Sequence, residues 1–358
     1  MRLSVPATLI SLALLTVHPL SALHAPPPRI QPLLAQEAPS PDAPPPASDA
    51  PAPVADDSAE TLNVNVNLVN LYFSARDKDG FITNLAKSDC AVTEDKVPQT
   101  VKNFTQEKNL PLTIGILLDT SGSQMNVLPL EQQSGATFLR DVLTPKDEAF
   151  LISFDINVDL LADYTNRASD IARALNKASI NTGAGTGSAT GNGNPRGTLL
   201  FDAVYLAAHD KLAPEAGRKI IVILTDGGDQ GSQETLQSAT EAAQKANAIV
   251  YVILIADHAF YGGGFGSINL ADFGSRDMEK LAGDTGGRVI NVGHDGRKLE
   301  DAFQQIQDEL RTQYLLSYTP TNAKADGTFR KITLNCGKNI KVQTRNGYYA
   351  ISSADTGN

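Results

Sequence analysis

From Leu112 onward, the chain alternates between nearly continuous apolar runs and stretches whose apolar residues recur every three to four positions. Continuous runs are typical of strands buried on both faces of a parallel sheet, and the intervening period is typical of the covering helices. The runs are LTIGILL (112–118), AFLISF (149–154), KIIVILT (219–225), IVYVILI (249–255) and GRVINV (287–292). This pattern predicts an α/β fold with a mostly parallel central sheet and helices on both faces.

The helical period separates most of these runs. The predicted helices cover residues 131–142, 168–178, 199–212, 233–247, 276–282 and 297–311. The segment VDLLADYT (158–165) follows the preceding run without a helix between them. A parallel connection needs a long crossover, so we expect this segment to be an antiparallel strand at the sheet edge.

Two flanks of the chain, residues 61–109 and 313–350, contain the alternating pattern of antiparallel strands instead. Neither flank has enough strands to bury a core alone, so we expect one small β-sandwich built from both; separate tails are the alternative. The only two cysteines, Cys90 and Cys336, lie in different flanks. A disulfide between them would join the flanks in an oxidising compartment, with two buried free thiols as the alternative.

The N-terminus has the layout of a secretory signal peptide: Arg2, an apolar run over 7–17, and small residues around Ala22 and Ala25. This run is shorter than the roughly 20 residues of a membrane helix, although a retained anchor or a buried helix is the alternative. We therefore expect an exported protein, periplasmic or extracellular, with no transmembrane segment after cleavage. Eleven of the 20 prolines fall in 26–60, which predicts a disordered linker.

The expected organisation follows from these changes in pattern. It comprises a signal peptide (1–25), a Pro-rich linker (26–60), a β-rich flank (61–109), an α/β domain (110–312), a second β-rich flank (313–350) and a tail (351–358). The formal net charge is -10 and no block of Lys or Arg is present. This charge pattern argues against nucleic acid as a partner, because binding to phosphates needs a basic surface.

Oxygen-bearing side chains follow two of the predicted strands. The first strand ends in DTSGS, where Asp119, Ser121 and Ser123 alternate and Gly122 lets the loop turn their oxygens inward. Asp226 ends the strand KIIVILT, and Thr198 opens a helix after a glycine-rich loop. Ligands of open α/β sheets bind at the carboxyl ends of the strands. Each feature alone is also compatible with a helix cap or a turn, but together they predict a metal site.

Carboxylate and hydroxyl oxygens suit hard divalent ions rather than zinc, which prefers nitrogen and sulfur ligands. Mg²⁺ is the expected ion, with Mn²⁺ and Ca²⁺ as alternatives. The order Asp-x-Ser-x-Ser, Thr, and Asp in TDG resembles the metal-ion-dependent adhesion site (MIDAS) of von Willebrand factor type A (VWA) domains over roughly residues 110–312. The two flanks are similar to those of a bacterial secreted VWFA-related family.

This resemblance implies a Rossmann-like VWA domain with five metal ligands, some acting through water. These ligands are Asp119, Ser121, Ser123, Thr198 and Asp226. The chain departs from the family at Lys96, where the β-turn of the first flank usually has Gly. Two glycine-rich loops, 181–197 and 261–267, leave the rim of the site without a predictable shape.

Two carboxylates and three neutral hydroxyls would leave a divalent ion under-neutralised, so an Asp or Glu of a protein partner could complete its shell. We therefore expect a non-enzymatic binding or adhesion protein. One alternative is a scaffold component whose metal only stabilises the fold. A metal-assisted hydrolase is disfavoured, since we expect no His, Lys or Glu beside the cluster unless Asp229 serves as base. An aspartic peptidase would need Asp119 and Asp284 (DTGG) as its pair.

Overall fold

The structure is a computed structural model that describes residues 68–107, 110–181, 197–255 and 267–351, with the backbone alone for 267–273. All described residues belong to one compact unit, Asn63–Asn358. The predicted signal peptide, the Pro-rich linker and most of both glycine-rich loops lie outside the described residues. Within the described part of the chain, no helix combines the length and apolar character needed to cross a bilayer.

The described elements are numbered in chain order. The strands are β1 (Val69–Asp77), β2 (Gly80–Phe81), β3 (Ala91–Glu94), β4 (Val97–Pro98), β5 (Val101–Gln106), β6 (Leu112–Asp119), β7 (Glu148–Phe154), β8 (Val158–Thr165), β9 (Arg218–Thr225), β10 (Ala248–Leu254), β11 (Val289–Asn291), β12 (Tyr314–Tyr318), β13 (Phe329–Asn335), β14 (Lys341–Thr344) and β15 (Gly347–Tyr349). The α-helices are α1 (Leu128–Val142), α2 (Ala168–Leu175), α3 (Leu200–Leu206), α4 (Leu236–Lys245), α5 (Ser267–Thr285) and α6 (Gly296–Thr312).

The central sheet has the strand order β11-β10-β9-β6-β7-β8. All its neighbouring strands are parallel except β8, which pairs antiparallel with β7 at the edge. The α/β architecture and the antiparallel edge strand are therefore confirmed. The parallel register brings the carboxyl ends of β6 and β9, which are adjacent, to the same edge of the sheet.

Helices cover both faces of this sheet. Along β9, Ile220, Val222 and Leu224 belong to the core beneath α1, α2 and α6. The alternate residues Ile221 and Ile223 belong to the core beneath α3, α4 and α5. Every residue of β6 and β9 is buried, because both faces of these strands are covered. The continuous apolar runs in the sequence reflect this double burial.

Some helix bounds differ from the predicted ones. Helix α1 begins three residues early, with Pro129 in its first turn, where a missing N–H costs no hydrogen bond. Helix α3 continues as a π-helical segment over Ala207–Leu212. Helix α5 begins at Ser267, well before the predicted start at 276. Its first half carries no regular apolar period, so the sequence pattern did not predict this part of the helix.

The two flanks form two antiparallel sheets, β14-β1-β12-β5 with β2 beside β1, and β15-β13-β3-β4. Both sheets contribute to one apolar cluster, which includes Leu71, Phe73 and Leu316 from the first sheet and Val92 and Ile332 from the second. The sheets therefore share a core, as expected for a sandwich in which neither flank suffices alone.

A disulfide joins Cys90 and Cys336 at the end of two paired strands of the second sheet. The two cysteines lie next to β3 and β13, whose residues Ala91 and Asn335 are paired. The turn between β3 and β4 has positive φ at Asp95 (48°) and Lys96 (70°), so the turn forms with Lys in a conformation that favours glycine. The bond thus covalently links the N-terminal and C-terminal flanks.

Candidate metal-ion site

The loop after β6 draws its oxygen atoms together. Asp119, the last residue of β6, is fully buried, and its Oδ1 accepts a hydrogen bond from the Ser121 backbone N–H at 2.9 Å. The hydroxyls of Ser121 and Ser123 lie 3.1 Å apart. Thr120, which lies between Asp119 and Ser121 in sequence, donates its hydroxyl to Asp155 Oδ2 at 2.7 Å and so does not join this cluster. The alternating pattern of DTSGS therefore separates a clustered set of oxygens from a residue that anchors the loop.

The loop after β9 brings the second carboxylate to the same place. Thr225 donates its hydroxyl to Asp119 Oδ2 at 2.6 Å, which ties the ends of the two strands together. Asp226 follows directly, with 9% of its surface exposed, and its Oδ1 accepts from the Gly228 N–H at 3.2 Å. Burial, and then the charge of Asp226, raise the pKa of Asp119 to about 7. The two buried carboxylates are therefore close enough to repel each other.

Backbone contact with helix α5 positions the Asp226 loop. Gly227 has φ +89° and lies directly against Gly274 of α5. A Cβ atom added at Gly274 would lie only 2.4 Å from the Gly227 carbonyl oxygen. Glycine is therefore required at Gly274 for the loop to reach this position.

Thr198 lies on a segment held between two neighbouring loops at this edge of the sheet. Its backbone N–H donates to the Gln230 carbonyl and its carbonyl accepts from the Gln230 N–H, both at 2.9 Å. Leu199 N–H donates to the Asp155 carbonyl at 2.8 Å. Asp229, considered as a general base, instead accepts hydrogen bonds from the Phe201 N–H and the Ser232 hydroxyl. These contacts place the start of α3 beside the loops that carry Asp155 and Asp226.

One acidic residue near the site was not predicted from the sequence pattern. Glu131, in the first turn of α1, is fully buried, and neither carboxylate oxygen has a hydrogen-bond partner among the described residues. Burial raises the pKa of Glu131 well above its usual range, and the charges of Asp119 and Asp226 raise it further. The expectation that no Glu lies beside the cluster is therefore wrong. An acid in the first helical turn is usually a solvated residue that favours the helix dipole, which concealed it.

Asp155 is a second residue that the pattern analysis did not single out. It directly follows β7 and is 7% exposed. Its carboxylate accepts from the Thr120 hydroxyl, the Asn157 N–H and the Asn181 side chain. These hydrogen bonds hold the DTSGS loop against Asn157 and Asn181. The sequence signal was present, since an acid directly after a buried strand marks the same sheet edge as Asp119.

The aspartic-peptidase pairing does not form in the structure. Asp284 lies near the end of α5, where its carboxylate contacts Lys280 and Asn346. The hydroxyl of the next residue, Thr285, accepts a hydrogen bond from the N–H of Val250 near the start of β10. The starts of the parallel strands lie at the opposite edge of the sheet from Asp119, which ends β6. Asp119 and Asp284 are therefore held apart by the length of the strands.

The donor set fits a hard divalent cation. Among the described residues, no three His, Cys, Asp or Glu side chains are grouped so that they could hold a metal by themselves, so a metal here would also need hydroxyl ligands. The set of Asp119, Ser121, Ser123, Thr198 and Asp226 has only two carboxylates and would take its remaining oxygens from hydroxyls. The two buried carboxylates and the nearby Glu131, which has no hydrogen-bond partner among the described residues, make this edge favourable for a positive charge.

No family model matches the chain. The chain is 24% identical to bovine (Bos taurus) inter-alpha-trypsin inhibitor heavy chain H4 over 217 residues, which is 60% of this chain and 22% of that protein. The chain thus spans about a fifth of that relative's length.

Several solved structures have a chain path similar to part of this chain. The conserved hypothetical protein BatB from Bacteroides thetaiotaomicron has a TM-score of 0.42 at 17% identity, over 56% of this chain and 99% of that chain. The vWF domain of the type V pili tip protein Mfa5 from Porphyromonas gingivalis has a TM-score of 0.41 at 12% identity, over 56% of this chain and 95% of that chain. Proximal thread matrix protein 1 from the mussel byssus, with a zinc-occupied MIDAS motif, has a TM-score of 0.42 at 16% identity, over 60% of this chain and 48% of that chain.

At these scores the likenesses add nothing to the topology described above, which already has five parallel strands, an antiparallel edge strand and a DTSGS loop at the carboxyl edge. The α/β unit has the sheet order and the loop placement that the resemblance to von Willebrand factor type A (VWA) domains predicts. In this unit, the DTSGS loop, Thr198 and Asp226 lie on the three neighbouring loops that the resemblance assigns to metal binding. The zinc in the mussel structure is a property of that protein.

Proposed function

We propose that this protein is an exported binding protein whose VWA domain holds a divalent cation and uses it to engage an acidic group on a protein partner. Asp119, Ser121, Ser123, Thr198 and Asp226 would hold the ion. The observation that carries the proposal is the burial of Asp119 and Asp226 beside each other, where the charge of Asp226 helps to raise the pKa of Asp119, with two clustered hydroxyls next to them.

When bound, a divalent ion would supply a Lewis-acidic centre for one oxygen of a partner's carboxylate. The residues of this chain would position it: Thr225 fixes Asp119, and Asp155 fixes Thr120. Met125, just beyond the DTSGS loop, is 53% exposed and offers an apolar contact next to the site. A charged oxygen beside apolar surface suits recognition of an acidic side chain on a protein better than a free anion.

Export is supported by two features. The sequence begins with the layout of a signal peptide, and the Cys90–Cys336 disulfide is characteristic of proteins in oxidising compartments. We propose the periplasm or the cell exterior as the location, with Mg²⁺ as the expected ion.

A metal-assisted hydrolase is less well supported. Glu131 lies near the two carboxylates but is fully buried, so it does not reach a substrate at the surface. Asp229 is occupied by the N–H of Phe201 and the Ser232 hydroxyl. A scaffold role, in which the metal only stabilises the loops, would give metal-dependent melting without metal-dependent partner binding.

The test compares Asp119→Ala with Asp147→Ala. Asp147 is an equally buried carboxylate that accepts from the Leu112 and Thr144 N–H groups, before β7 and away from the site. Calorimetric titration with Mg²⁺, Mn²⁺, Ca²⁺ and Zn²⁺ should show binding to the wild type, at least 100-fold weaker binding to Asp119→Ala, and unchanged binding to Asp147→Ala. Retention of proteins from envelope and culture fractions should require both the metal and Asp119. Equal metal binding by both variants would refute the site.

A further inference from the structure

Helix α1 carries an acid where its pattern calls for an apolar residue. Its buried face consists of Leu128, Glu131, Ser134, Gly135, Phe138 and Leu139. Residues spaced three and four apart share one face of a helix, so Glu131 occupies the stripe that packs on the central sheet. Leu128, Phe138 and Leu139 belong to the apolar core on this side. A carboxylate in such a stripe requires an explanation beyond packing.

The position of Glu131 along the helix directs it toward the candidate metal site. Side chains of a helix lean toward its N-terminus. Helix α1 begins just after the DTSGS loop, so the Glu131 side chain leans toward the carboxyl edge of the sheet. The charges of both Asp119 and Asp226 raise the pKa of Glu131, which places its carboxylate within electrostatic reach of each. Three acids therefore converge on one edge of the sheet.

Unpartnered polar atoms accompany this acid. Both oxygens of Glu131 and the hydroxyl of Ser134, one turn later, are buried without a hydrogen-bond partner among the described residues. Gln124 Oε1, in the DTSGS loop region, is also unpartnered within that part of the chain, while its Nε2 donates to the Ile255 carbonyl at 3.4 Å. Buried polar atoms in native proteins are satisfied by protein, water or ions. This side of the site therefore holds a group of buried polar atoms that water or an ion would satisfy.

We propose that Glu131 is a third carboxylate of the metal site, which lies behind the five oxygen ligands and strengthens cation binding by its charge and through water. This inference rests on the proposed metal site. Glu131 is not assigned as a direct ligand, since no three described acids are grouped closely enough to hold a metal by themselves. It is a positioning and charge-balancing residue.

This role has a cost for the metal-free protein. A buried carboxylate without a partner destabilises the folded state, whereas a nearby divalent cation compensates it. Glu131→Gln keeps the shape of the side chain and removes the charge. We therefore expect this substitution to stabilise the metal-free protein and, at the same time, to weaken its affinity for metal. A purely structural glutamate would not produce these two opposite effects.

The experiment uses the purified protein, stripped of metal by EDTA and dialysed, with melting and calorimetric titration against Mg²⁺ and Mn²⁺. Metal-free Glu131→Gln should melt about 2–4 °C above the wild type, and it should bind Mg²⁺ about 10-fold more weakly. Glu131→Leu, which continues the apolar stripe, is the second variant should Glu131→Gln fail to fold, and the same 10-fold weakening is expected. Unchanged Mg²⁺ affinity in the folded variant would overturn the proposal.

The matched control is Glu94→Gln. Glu94 is a buried glutamate of the sandwich whose Oε2 accepts from the Tyr318 and Tyr348 hydroxyls at 2.9 and 3.0 Å. This variant should melt lower than the wild type and bind Mg²⁺ normally. A wild type without any metal response would refute the metal site itself. A wild type that responds, together with a Glu131→Gln variant that responds equally, would refute only the role of Glu131.

Discussion

Two buried glutamates, Glu94 in the β-sandwich and Glu131 at the carboxyl edge of the central sheet, show how differently this chain treats a charge. Glu94 accepts hydrogen bonds from two tyrosines, and the charge and hydrogen bond of Glu94 help burial to raise the pKa of Tyr318. Glu131 has no partner among the described residues. The sandwich therefore satisfies the carboxylate of Glu94 with its own hydroxyl groups, as a structural core does. The carboxyl edge of the central sheet leaves Glu131 without such a partner among the described residues, as a binding site does.

The largest effect that would sharpen this contrast concerns the disulfide of the sandwich. Replacing Cys90 and Cys336 together by Ser should lower the free energy of unfolding by about 2–5 kcal/mol, because the bond joins the two flanks across 246 positions. Metal affinity of the folded double variant should stay that of the wild type. Chemical denaturation and Mg²⁺ titration measure the two quantities. A loss of metal affinity as large as the loss of stability would show that the two regions are not separate in function.

The strands of the central sheet and the five candidate ligands could be proposed from the sequence because their signals are local. Continuous apolar runs marked strands buried on both faces, and DTSGS followed one of them directly. Glu131 was not accessible, because an acid in a first helical turn reads as solvated until the helix is placed on the sheet. The contact of Gly274 with Gly227 was also hidden, since it joins a helix to a loop that is distant in sequence. The shape of glycine-rich loops 181–197 and 261–267 could not be predicted from the sequence, and most of both loops lies outside the described residues.

An intermediate effect is expected at the contact that positions Asp226. Gly274→Ala would place a Cβ atom against the Gly227 carbonyl, and overpacking of this kind costs about 1–3 kcal/mol. Because the clash moves the Asp226 loop, Mg²⁺ affinity should fall as well. Gly283→Ala is the control on the same helix, since nothing lies within 4 Å of its added Cβ. Thermal melting and Mg²⁺ titration of both variants test the contact, and equal metal affinity in the two would count against it.

The last effect is the pH dependence of the site. The pKa of Asp119 is raised to about 7, so between its ordinary value and pH 7 the folded protein holds more protons than the unfolded chain. The free energy of unfolding of the metal-free protein should therefore fall as pH rises through this window. Metal competes with the proton, so Mg²⁺ affinity should increase about tenfold per pH unit up to about pH 7. Denaturation curves at pH 5, 6, 7 and 8, with EDTA or with Mg²⁺, measure both trends.

A contrary result would be equally informative. Parallel pH dependence with and without Mg²⁺ would mean that no acid at the carboxyl edge exchanges a proton for a metal ion. The edge would then resemble the sandwich, and the contrast between the two regions would fail.

The most direct measurement is anomalous X-ray scattering from crystals grown with Mn²⁺. The account predicts one strong manganese peak enclosed by the side-chain oxygens of Asp119, Ser121, Ser123, Thr198 and Asp226, with Glu131 behind it. The same peak should be absent from crystals of Asp119→Ala. Manganese bound only elsewhere on the wild-type protein, or no ordered manganese at all, would contradict the central claim that these loops form a cation site.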